Sequence, residues 1–569
     1  MTHNPETTAS PVEAAKRNSN YLRGTLAETL ASDASHFAED DAQILKAHGS
    51  YQQQDRDRRR AARDAGEEKP YIFMVRCAIP GGVLTAEQYL ALDDLADRYG
   101  NGTLRVTTRQ DIQIHGVSKS NLKATIAAIN ASLVTTLGAC GDVNRNVMVC
   151  PAPVAGEPHT TVRRLAAEIA RELRPATTAY REIWLNGEKA TASGPQEPFY
   201  GEQYLPRKFK TAIALDTDNC VEVHAHDCGL IAVVRDGLVR GFNVLVGGGM
   251  GLTHSRGDTF AKLAEPLGVV RTADALETVR VVAAIFRDHG NRSDRRHARL
   301  KYLIAEWGME RFRWEFQRRV SFRLLPPEDV PPPPFDDHLG THSQGDGKWF
   351  YGVFVPNGRI ADRPHETLRA VLRRVIDSHR PSVILTGQQN VLLGNLTGSG
   401  LAQVRDALQA AGVSPAENLS AARRYSLACP ALPTCPLAIA ESERVMPALL
   451  DRIEAELETL GLRNAPLAIR MTGCPNGCTR PYTADLAFVG RRPGTYHIYV
   501  GGGLRGDRLA EPYAADVPTD AIVEVLRPLL VEWAAHRHSD EGLGNFYRRM
   551  AGCLGPRLCL RGDEKPAAS

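Results

Sequence analysis

The stretch YIFMVRCAIPGG, Tyr71–Gly82, reads as an apolar strand that ends in a tight turn. Just beyond it, Thr85 and Gln88 have the spacing of a capping box, which predicts that a helix begins directly after Thr85. The predicted order is therefore strand, turn, helix and a second strand. One face of the predicted helix is apolar, with Leu92, Leu95, Ala96 and Tyr99, and Gly100 stands at its C-terminal end.

The same order of elements occurs again in the C-terminal half of the chain. The strand-like Trp349–Val355 precedes the turn Pro356–Gly358 and a second amphipathic helix. The stretch Arg105–Gly116 (RVTTRQDIQIHG) also aligns with Val383–Gly394 (VILTGQQNVLLG). The repeat predicts a pseudo-twofold α+β molecule that binds a ligand between its halves. The apolar residues of the second helix are Leu368, Val371, Leu372, Val375 and Ile376.

Shifts in composition suggest where the domains begin and end. Pro326–Lys348 is too rich in Pro, Gly and Asp for a core, which predicts a linker. The polar run Gln52–Arg60 predicts a solvated helix or an arm that lies over other domains. The predicted parts are an N-terminal arm (1–65), a domain formed by two half-repeats (66–135 and 345–420), a further α+β domain (136–325), a linker (326–344) and a last domain (421–569).

Length and charge exclude several classes of protein. The 569 residues, 43% of them hydrophobic, suffice for several globular domains. The formal net charge is only +3, so no overall field attracts nucleic acid or an anionic membrane. The N-terminus has no apolar signal segment, and apolar runs such as Val281–Phe286 are too short to span a bilayer. We therefore expect a soluble, cytoplasmic protein with neither nucleic acid nor membrane as a partner.

Four of the eleven cysteines have the spacing of metal ligands: Cys429-x5-Cys435 and, further on, Cys474-x3-Cys478. Zinc sites favour closer pairs, whereas an iron–sulfur cube accepts wider spacing because each thiolate binds a different iron. Prolines and glycines around these signature cysteines prevent regular structure and let the backbone bend around a bulky core. The spacing favours a cluster and leaves zinc open. The cysteines predicted to be packing thiols are Cys77, Cys150, Cys220, Cys228, Cys553 and Cys559.

Cations in strand-like contexts distinguish the first half. If Arg105–His115 is one extended segment, its odd-numbered positions form a polar face that suits an anion. A turn near Thr108–Asp111 would break this alternation, and an exposed sheet face is the alternative. Arg76 lies within an apolar strand, where a guanidinium is costly unless an anion meets it. The odd positions are Arg105, Thr107, Arg109, Asp111, Gln113 and His115, and further cations are Arg145, Arg207, Lys208 and Lys210.

The cysteine segments CPALPTCPLA (429–438) and TGCPNGC (472–478) resemble the signature of the sirohaem and 4Fe–4S sulfite and nitrite reductases. The resemblance covers nearly the whole chain, including Asn20–Gly24, Gly49–Gln53 and Gly542–Phe546, and is closest to the haemoprotein (beta) subunits of bacterial assimilatory sulfite reductases. It implies an α+β fold in which two ferredoxin-like half-repeats form one domain. Residues 136–325 and 421–569 would then be two sirohaem-reductase domains, the second of which binds the cluster and sirohaem.

The resemblance also implies roles for individual residues. Cys478 is the thiolate shared between the cluster and the sirohaem iron, and the other three signature cysteines complete the cluster. Sirohaem carries many carboxylates, which explains the surplus of cations in the strands that face it. The implied substrate-binding residues are Arg76, Arg145, Lys208 and Lys210. The implied positions near the macrocycle are Arg105, Thr107, Arg109, Gln113, His115, Arg207 and Asn476.

The implied activity is assimilatory reduction of sulfite to sulfide with six electrons. The cations would hold the oxyanion, and the two lysines would offer protons. The alternative within the family is a ferredoxin-dependent nitrite reductase that forms ammonia. Plant-type nitrite reductases have a Lys-x-Asn pattern where this chain has Lys208-Phe-Lys210. A second lysine suits sulfite, a dianion with three oxygens. This difference favours sulfite.

Electrons are expected to come from another protein. The glycine runs at Gly247–Gly251 and Gly501–Gly503 lack the Gly-x-Gly-x-x-Gly pattern of a dinucleotide site and are better explained by close backbone approach to the macrocycle or by a tight turn. The resemblance implies a diflavin NADPH-dependent reductase subunit or ferredoxin as donor. Some ferredoxin-dependent relatives carry a Tyr–Cys thioether, for which Tyr51 and Cys140 would be the candidates.

Two alternatives remain outside sulfite and nitrite reduction. In one, the signature cysteines hold a single zinc ion in a protein that binds nucleic acid. The low net charge and the lack of aromatic residues around the basic positions disfavour it. In the other, the chain acts on a tetrapyrrole in cobalamin synthesis, for which a cage of four cations has no use.

Overall fold

The computed structural model describes residues 9–177, 179, 183–185, 188–190, 197–328 and 333–551. Cys553 and Cys559, two of the predicted packing thiols, lie outside these residues. The chain forms two units. Unit 1 comprises Met1–Gly249 and Ala264–Ala416, and unit 2 comprises Met250–Leu263 and Glu417–Ser569.

Both units contain helices and strands. The α-helices are α1 (Pro11–Asn18), α2 (Leu26–Ala31), α3 (Glu39–Ile44), α4 (Arg59–Asp64), α5 (Ala86–Tyr99), α6 (Lys119–Ala131), α7 (Glu157–Glu172), α8 (Ala275–His289), α9 (Leu300–Gln317), α10 (Leu368–His379), α11 (Gly398–Ala410), α12 (Ala421–Arg424), α13 (Met446–Thr459), α14 (Ile522–His536) and α15 (Leu543–Met550). The strands are β1 (Ser50–Gln54), β2 (Tyr71–Arg76), β3 (Val83–Leu84), β4 (Leu104–Val106), β5 (Ile112–Val117), β6 (Met148–Val149), β7 (Ile183–Leu185), β8 (Glu188–Ala190), β9 (Thr211–Ala214), β10 (Cys228–Arg235), β11 (Leu238–Val246), β12 (Glu265–Arg271), β13 (Gly340–Ser343), β14 (Trp349–Val353), β15 (Arg359–Ile360), β16 (Asp362–Arg363), β17 (Glu366–Thr367), β18 (Ser382–Leu385), β19 (Val391–Leu396), β20 (Leu427–Ala428), β21 (Ile469–Thr472), β22 (Leu486–Arg492), β23 (Thr495–Val500) and β24 (Glu511–Pro518).

Two antiparallel five-stranded sheets of unit 1 have the same plan. Their strand orders are β1-β2-β5-β4-β15 and β13-β14-β19-β18-β3. Each sheet takes its last strand from the other half of the chain: β15 pairs with β4, and β3 pairs with β18. The two half-repeats therefore share their sheets, and the α+β fold with ferredoxin-like half-repeats is confirmed.

The helix that follows the first repeated strand begins and ends as its sequence predicts. The Thr85 hydroxyl accepts a hydrogen bond from the Gln88 amide at 3.2 Å, and the Gln88 side chain accepts one from the Thr85 amide at 3.0 Å. Helix α5 then continues to Tyr99 and is followed by Gly100. In the second half, all five apolar residues of the predicted face of α10 are buried.

The structure differs from the sequence expectations in three places. Arg105–His115 is not one extended segment, and the alternative of a turn near Thr108–Asp111 holds, because a turn from Thr107 to Asp111 separates β4 from β5 and Gln110 has a φ of 58°. The polar run Gln52–Arg60 is divided between the end of β1 and the beginning of α4, since backbone pairing with β2 recruits its first residues into a sheet. The predicted linker 326–344 contains the paired strand β13.

A second sheet pattern occurs once in each unit. The order is β6-β9-β10-β11-β12 in unit 1 and β20-β21-β22-β23-β24 in unit 2. In both sheets the first three strands are parallel to one another. Each of the last two strands is antiparallel to the strand that precedes it in the sheet. One long helix follows the first strand and another follows the last strand in each case. The chain therefore carries a second internal repeat, which the sequence indicated through its two glycine runs and the family resemblance implied.

Those glycine runs allow close packing of the backbone. A Cβ atom added to Gly248 would lie 2.3 Å from the His224 carbonyl oxygen, and one added to Gly502 would lie 2.4 Å from the Ala484 carbonyl oxygen. These contacts are with the protein's own backbone, and the predicted approach to the macrocycle stays a prediction. Among the described residues, no helix has the length and apolar character needed to cross a membrane.

Candidate active site

The ends of two neighbouring strands bring the signature cysteines of unit 2 together. Cys429 directly follows β20, and Cys474 lies two residues beyond β21. These strands are parallel, with Ala428 opposite Met471, so their carboxyl ends lie at the same edge of the sheet. The Gly473 amide donates a hydrogen bond to Cys429 Sγ at 3.3 Å, across the two strand ends. The fold thus brings together two cysteine pairs that are 39 residues apart in the sequence, counted from Cys435 to Cys474.

The four thiols are close enough to influence one another. Burial, together with the neighbouring thiols of Cys478 and Cys474, raises the pKa of Cys435 to about 12. Burial and the same neighbours also raise the pKa of Cys429. Buried thiols of this kind become thiolates when a metal supplies the compensating positive charge. The electrostatics therefore suit a metal centre.

The signature cysteines do not have the close spacing of donor atoms that a single ion requires. Among the described residues, the signature cysteines form no group of three donor atoms within 4.8 Å of one another. Four sulfurs on one tetrahedral zinc ion would lie about 3.8 Å apart. In a cube each thiolate binds a different iron, so the sulfurs stand farther apart. This arrangement disfavours the zinc alternative.

The backbone around the second cysteine pair has no room for larger side chains. A Cβ atom at Gly473 would lie 2.4 Å from the Ala440 carbonyl oxygen, and Gly477 has a φ of 63°. Asn476 donates a hydrogen bond from its side-chain amide to Cys474 Sγ at 3.3 Å. Three of the cysteines are buried or half-buried, whereas Cys478 is exposed. An exposed thiol suits the member of the group that is predicted to have a second metal partner.

In unit 1, three of the predicted substrate-binding cations lie on two neighbouring stretches of chain. Asn144 and Phe209 form a parallel bridge, and the Arg145 amide donates to the Phe209 carbonyl at 2.8 Å. Since successive side chains point to opposite faces of an extended backbone, Lys208 and Lys210 lie opposite Phe209 and share a face with Arg145. Both lysines are half-buried. Three cations on one partly buried face suit an anionic ligand.

Arg76 lies at the end of β2 and converges with Arg145. Both guanidinium groups act on the carboxyl of Asp111 and on the phenol of Tyr51. In β5, Gln113 pairs with Arg76 on one side and with Arg105 of β4 on the other. With its amide oxygen turned towards Arg76, Gln113 accepts hydrogen bonds from Nε at 3.3 Å and Nη2 at 2.6 Å. The sheet therefore places these polar residues side by side.

His115 of β5 is the clearest sign of a ligand in this region. The residue is 1% exposed, and neither ring nitrogen has a hydrogen-bond partner among the described residues. Burial, with Arg359, Arg105 and Arg76 nearby, keeps the pKa of His115 well below its usual value, so the ring is neutral. A buried imidazole without a partner is costly unless a ligand supplies one.

The remaining predicted macrocycle residues have other contacts. Arg109 lies in the turn after β4, where Nη1 donates to His226 Nδ1 at 3.1 Å and Nη2 donates to the carbonyls of Asn146 and Thr211. The Thr107 hydroxyl accepts from the amides of Arg109 and Asp111. These contacts stabilise the turn, whose backbone hydrogen bonds between Thr107 and Asp111 interrupt the predicted alternation.

Arg207 also has a partner within unit 1. Its Nη1 lies 3.7 Å from Asp142 Oδ1, and Asp142 also receives both terminal nitrogens of Arg295 at 2.8 and 3.0 Å. The side chain of Arg207 retains 30% exposure. It is thus anchored at one side and accessible at the other.

Two residues near these cations received no role from the sequence. Asp111 is 1% exposed, and burial raises its pKa to about 7 against the lowering effect of Arg76, Arg109 and Arg145. Burial and Arg299, with a smaller contribution from Lys208, lower the pKa of Lys301 to about 7. Lys301 lies at the beginning of α9, far from any motif, so only the fold could have revealed its position.

Comparison with known proteins agrees with this arrangement. A family model described as the nitrite and sulphite reductase 4Fe-4S domain matches residues 140–324 and 420–551, and one described as the nitrite/sulfite reductase ferredoxin-like half domain matches residues 65–132 and 342–411. The chain belongs to the nitrite and sulfite reductase family. Enzymes of this family bind sirohaem and a 4Fe–4S cluster, and the cysteine group and the partnerless His115 fit these cofactors.

Individual relatives resemble the chain over nearly its full length. The protein named sulfite reductase (ferredoxin) of Synechococcus elongatus is 44% identical over 561 residues, which cover 95% of this chain and 89% of the relative. The sulfite reductase (NADPH) hemoprotein beta-component of Paenibacillus sp. is 44% identical over 545 residues, 95% of either chain. The solved structure of Mycobacterium tuberculosis NirA protein has the same fold, with a TM-score of 0.77, 23% identity and coverage of 95% of this chain and 96% of that one.

Proposed function

We propose that this protein reduces sulfite to sulfide. The observation that carries the proposal is the occurrence of two chemical groups in one chain: four thiols that are brought close enough to influence one another, and a half-buried set of cations suited to a small oxyanion. The full-length relationship to proteins named sulfite reductase supports the same substrate. When bound, sirohaem and the cluster supply the redox chemistry, in which the substrate takes up six electrons.

In this proposal, the cations of unit 1 bind the substrate. Arg76 and Arg145 neutralise the charge of the oxyanion and orient it. Lys208 and Lys210 lie on the face of Arg145, add two further positive charges and donate protons to departing oxygen atoms. Asp111, held among the arginines with a pKa of about 7, is placed to exchange protons near neutral pH.

The remaining predicted residues would hold the cofactors. Cys429, Cys435, Cys474 and Cys478 would bind the cluster, and exposed Cys478 would also bind the sirohaem iron. His115, with both ring nitrogens available, is the strongest candidate for a hydrogen bond to the macrocycle. We assign Arg109 and Thr107 to positioning the turn that precedes β5 rather than to direct contact. The other proposed macrocycle contacts are Arg105, Gln113, Arg207 and Asn476.

The electron donor is a separate protein in this proposal. Relatives of nearly equal similarity carry names that specify ferredoxin in one case and NADPH in the other, so both donors are candidates. The Cys140 thiol acts electrostatically on the Tyr51 phenol, which supports testing for the predicted thioether between them. The predicted cytoplasmic location stays a prediction.

The direct test is a parallel assay of sulfite and nitrite. The purified holoprotein would be supplied with reduced ferredoxin in one series and with NADPH plus a diflavin reductase in the other. We expect stoichiometric sulfide from sulfite and a higher kcat/KM for sulfite than for nitrite. Ammonia formation from nitrite with no sulfide formation from sulfite would contradict the proposal.

A further inference from the structure

A second group of metal-ligand side chains lies in unit 1, away from the signature cysteines. Among the described residues, the donor atoms of Cys150, Asp218, Cys220 and His338 all lie within 4.8 Å of one another, and all four residues are buried. Two of them were predicted from the sequence to be packing thiols. Neither Cys150 nor Cys220 forms a disulfide bond.

The fold brings the four residues together through the ends of two parallel strands. Cys150 directly follows β6, and Asp218 and Cys220 lie in the loop after β9, with Val149 opposite Ile213 in the sheet. His338 comes from the segment before β13. The Asp336 amide, which donates to Asp218 Oδ1 at 3.3 Å, fixes that segment against the loop.

The internal repeat places two of these cysteines at cluster-ligand positions. Thr211 pairs with Cys228 as Ile469 pairs with Leu486, 258 residues later. The same shift takes Cys220 to Cys478. It also takes Glu222 to Arg480, and both have the left-handed backbone, with φ of 51° and 56°. Cys150 follows β6 as Cys429 follows β20.

The distances match a tetrahedral ion. His338 Nε2 lies 3.1 Å from Asp218 Oδ2 and 3.8 Å from Cys150 Sγ. Ligands on one zinc ion would be separated by about 3.3 Å for a nitrogen–oxygen pair and about 3.6 Å for a nitrogen–sulfur pair. His338 Nδ1 lies 3.6 Å from Asp336 Oδ2, as in the carboxylate contacts that orient metal-bound histidines.

We propose that Cys150, Asp218, Cys220 and His338 bind one zinc ion. Two thiolates and an imidazole favour zinc over magnesium or calcium, and four protein ligands fill its coordination shell. The ion is therefore structural. It joins the ends of β6 and β9 to the segment before β13, and thus connects the two halves of the chain within unit 1. The site is separate from the proposed sulfite-reducing centre, so it stands if the substrate proves to be nitrite.

Elemental analysis of the holoprotein, purified without a histidine tag, tests the site. We expect about one zinc per chain beside the iron, and zinc X-ray absorption with two sulfur ligands at about 2.3 Å and two nitrogen or oxygen ligands at about 2.0 Å. Zinc far below one ion per chain after incubation with zinc chloride and desalting would overturn the proposal. A disulfide between Cys150 and Cys220 in the protein as isolated, shown by mass spectrometry, would do the same.

Matched variants locate the ion. Cys220→Ser and His338→Ala should lose the zinc and keep the iron and labile sulfide of the cluster. Cys228→Ser and His342→Ala replace a buried thiol and a half-buried imidazole outside the group, and both should keep the zinc. Retention of zinc by Cys220→Ser and His338→Ala would place the ion elsewhere and refute the assignment. The zinc X-ray absorption spectrum of the wild-type protein tests the site even if a variant does not fold.

Discussion

The Asp111 carboxyl lies buried beside the guanidinium groups of Arg76, Arg109 and Arg145. Its pKa of about 7 means that it carries a proton in mildly acidic solution and gains a negative charge as the pH rises through neutrality. If Arg76 and Arg145 bind the substrate as proposed, the charged carboxylate would compete with an anionic substrate for them. A proton on Asp111 would then favour substrate binding.

This competition predicts a pH-dependent KM. For the wild type, the KM for sulfite should rise above pH 7, whereas Asp111→Asn should show a flatter profile. Sulfite titrates equally in both assays, so the ratio of the two KM values isolates the contribution of Asp111. Asp97→Asn, at an exposed position, is the control. Parallel profiles for wild type and Asp111→Asn would refute a role of this carboxyl in substrate binding.

Lys210 should matter more for sulfite than for nitrite. Lys210→Asn removes one positive charge from the face that it shares with Arg145, and we expect a loss in kcat/KM for sulfite of roughly 100-fold. The loss for nitrite should be smaller, because nitrite has fewer oxygens and a lower charge. Lys348→Asn changes an exposed lysine and should leave both values unaltered. An unchanged kcat/KM for sulfite in Lys210→Asn would remove Lys210 from the substrate site.

Single residues differ in how far the sequence foretold their positions. Arg76 was predicted to meet an anion because it interrupts an apolar strand, and its neighbours in the structure are polar and charged groups. Arg109 was placed by alternation, which fails because Gln110 adopts a left-handed backbone. A side chain at a turn depends on one or two backbone angles that periodicity does not determine.

Among the elements, the two-residue strand β3 joins the two half-repeats. Leu84 is 2% exposed and pairs with Val383 of the other half-repeat, whereas its neighbour Val83 is 45% exposed. The capping box at Thr85 follows at once, so strand β3 and helix α5 share one fixed junction. The sequence predicted this helix because its signal is local. It did not predict the exchange of strands, because a two-residue strand has no periodicity to detect.

The exchange predicts a difference between neighbouring substitutions. Leu84→Ala should lower the free energy of unfolding by about 2–5 kcal/mol, since it leaves a cavity between the half-repeats. Val83→Ala should cost less than about 1 kcal/mol, because an exposed side chain leaves no cavity. Scanning calorimetry of both holoproteins would show the difference as a shift of the midpoint temperature. Equal shifts would mean that β3 is not part of the other half's sheet.

For the whole chain, two kinds of repeat that alternate along the sequence explain the architecture. The repeat of the ferredoxin-like halves was visible in the sequence because strand, turn and helix signals recur in order. The repeat of the larger sheets was hidden, because Cys150–Cys429 and Cys220–Cys478 correspond only after strand pairing fixes the register. The correspondence of both cysteine pairs cannot be read from spacing alone, since the segment between β6 and β9 is longer than the one between β20 and β21.

The central claim is that the four signature cysteines hold an iron–sulfur cluster in a sirohaem enzyme that reduces sulfite. Its most direct test is the visible absorption spectrum of the purified protein, combined with iron and labile-sulfide analysis, for the wild type and Cys435→Ser. We expect a chlorin-type spectrum with about five irons and four labile sulfides per chain in the wild type, and loss of the cluster in the variant. A colourless wild-type protein without iron would contradict the account.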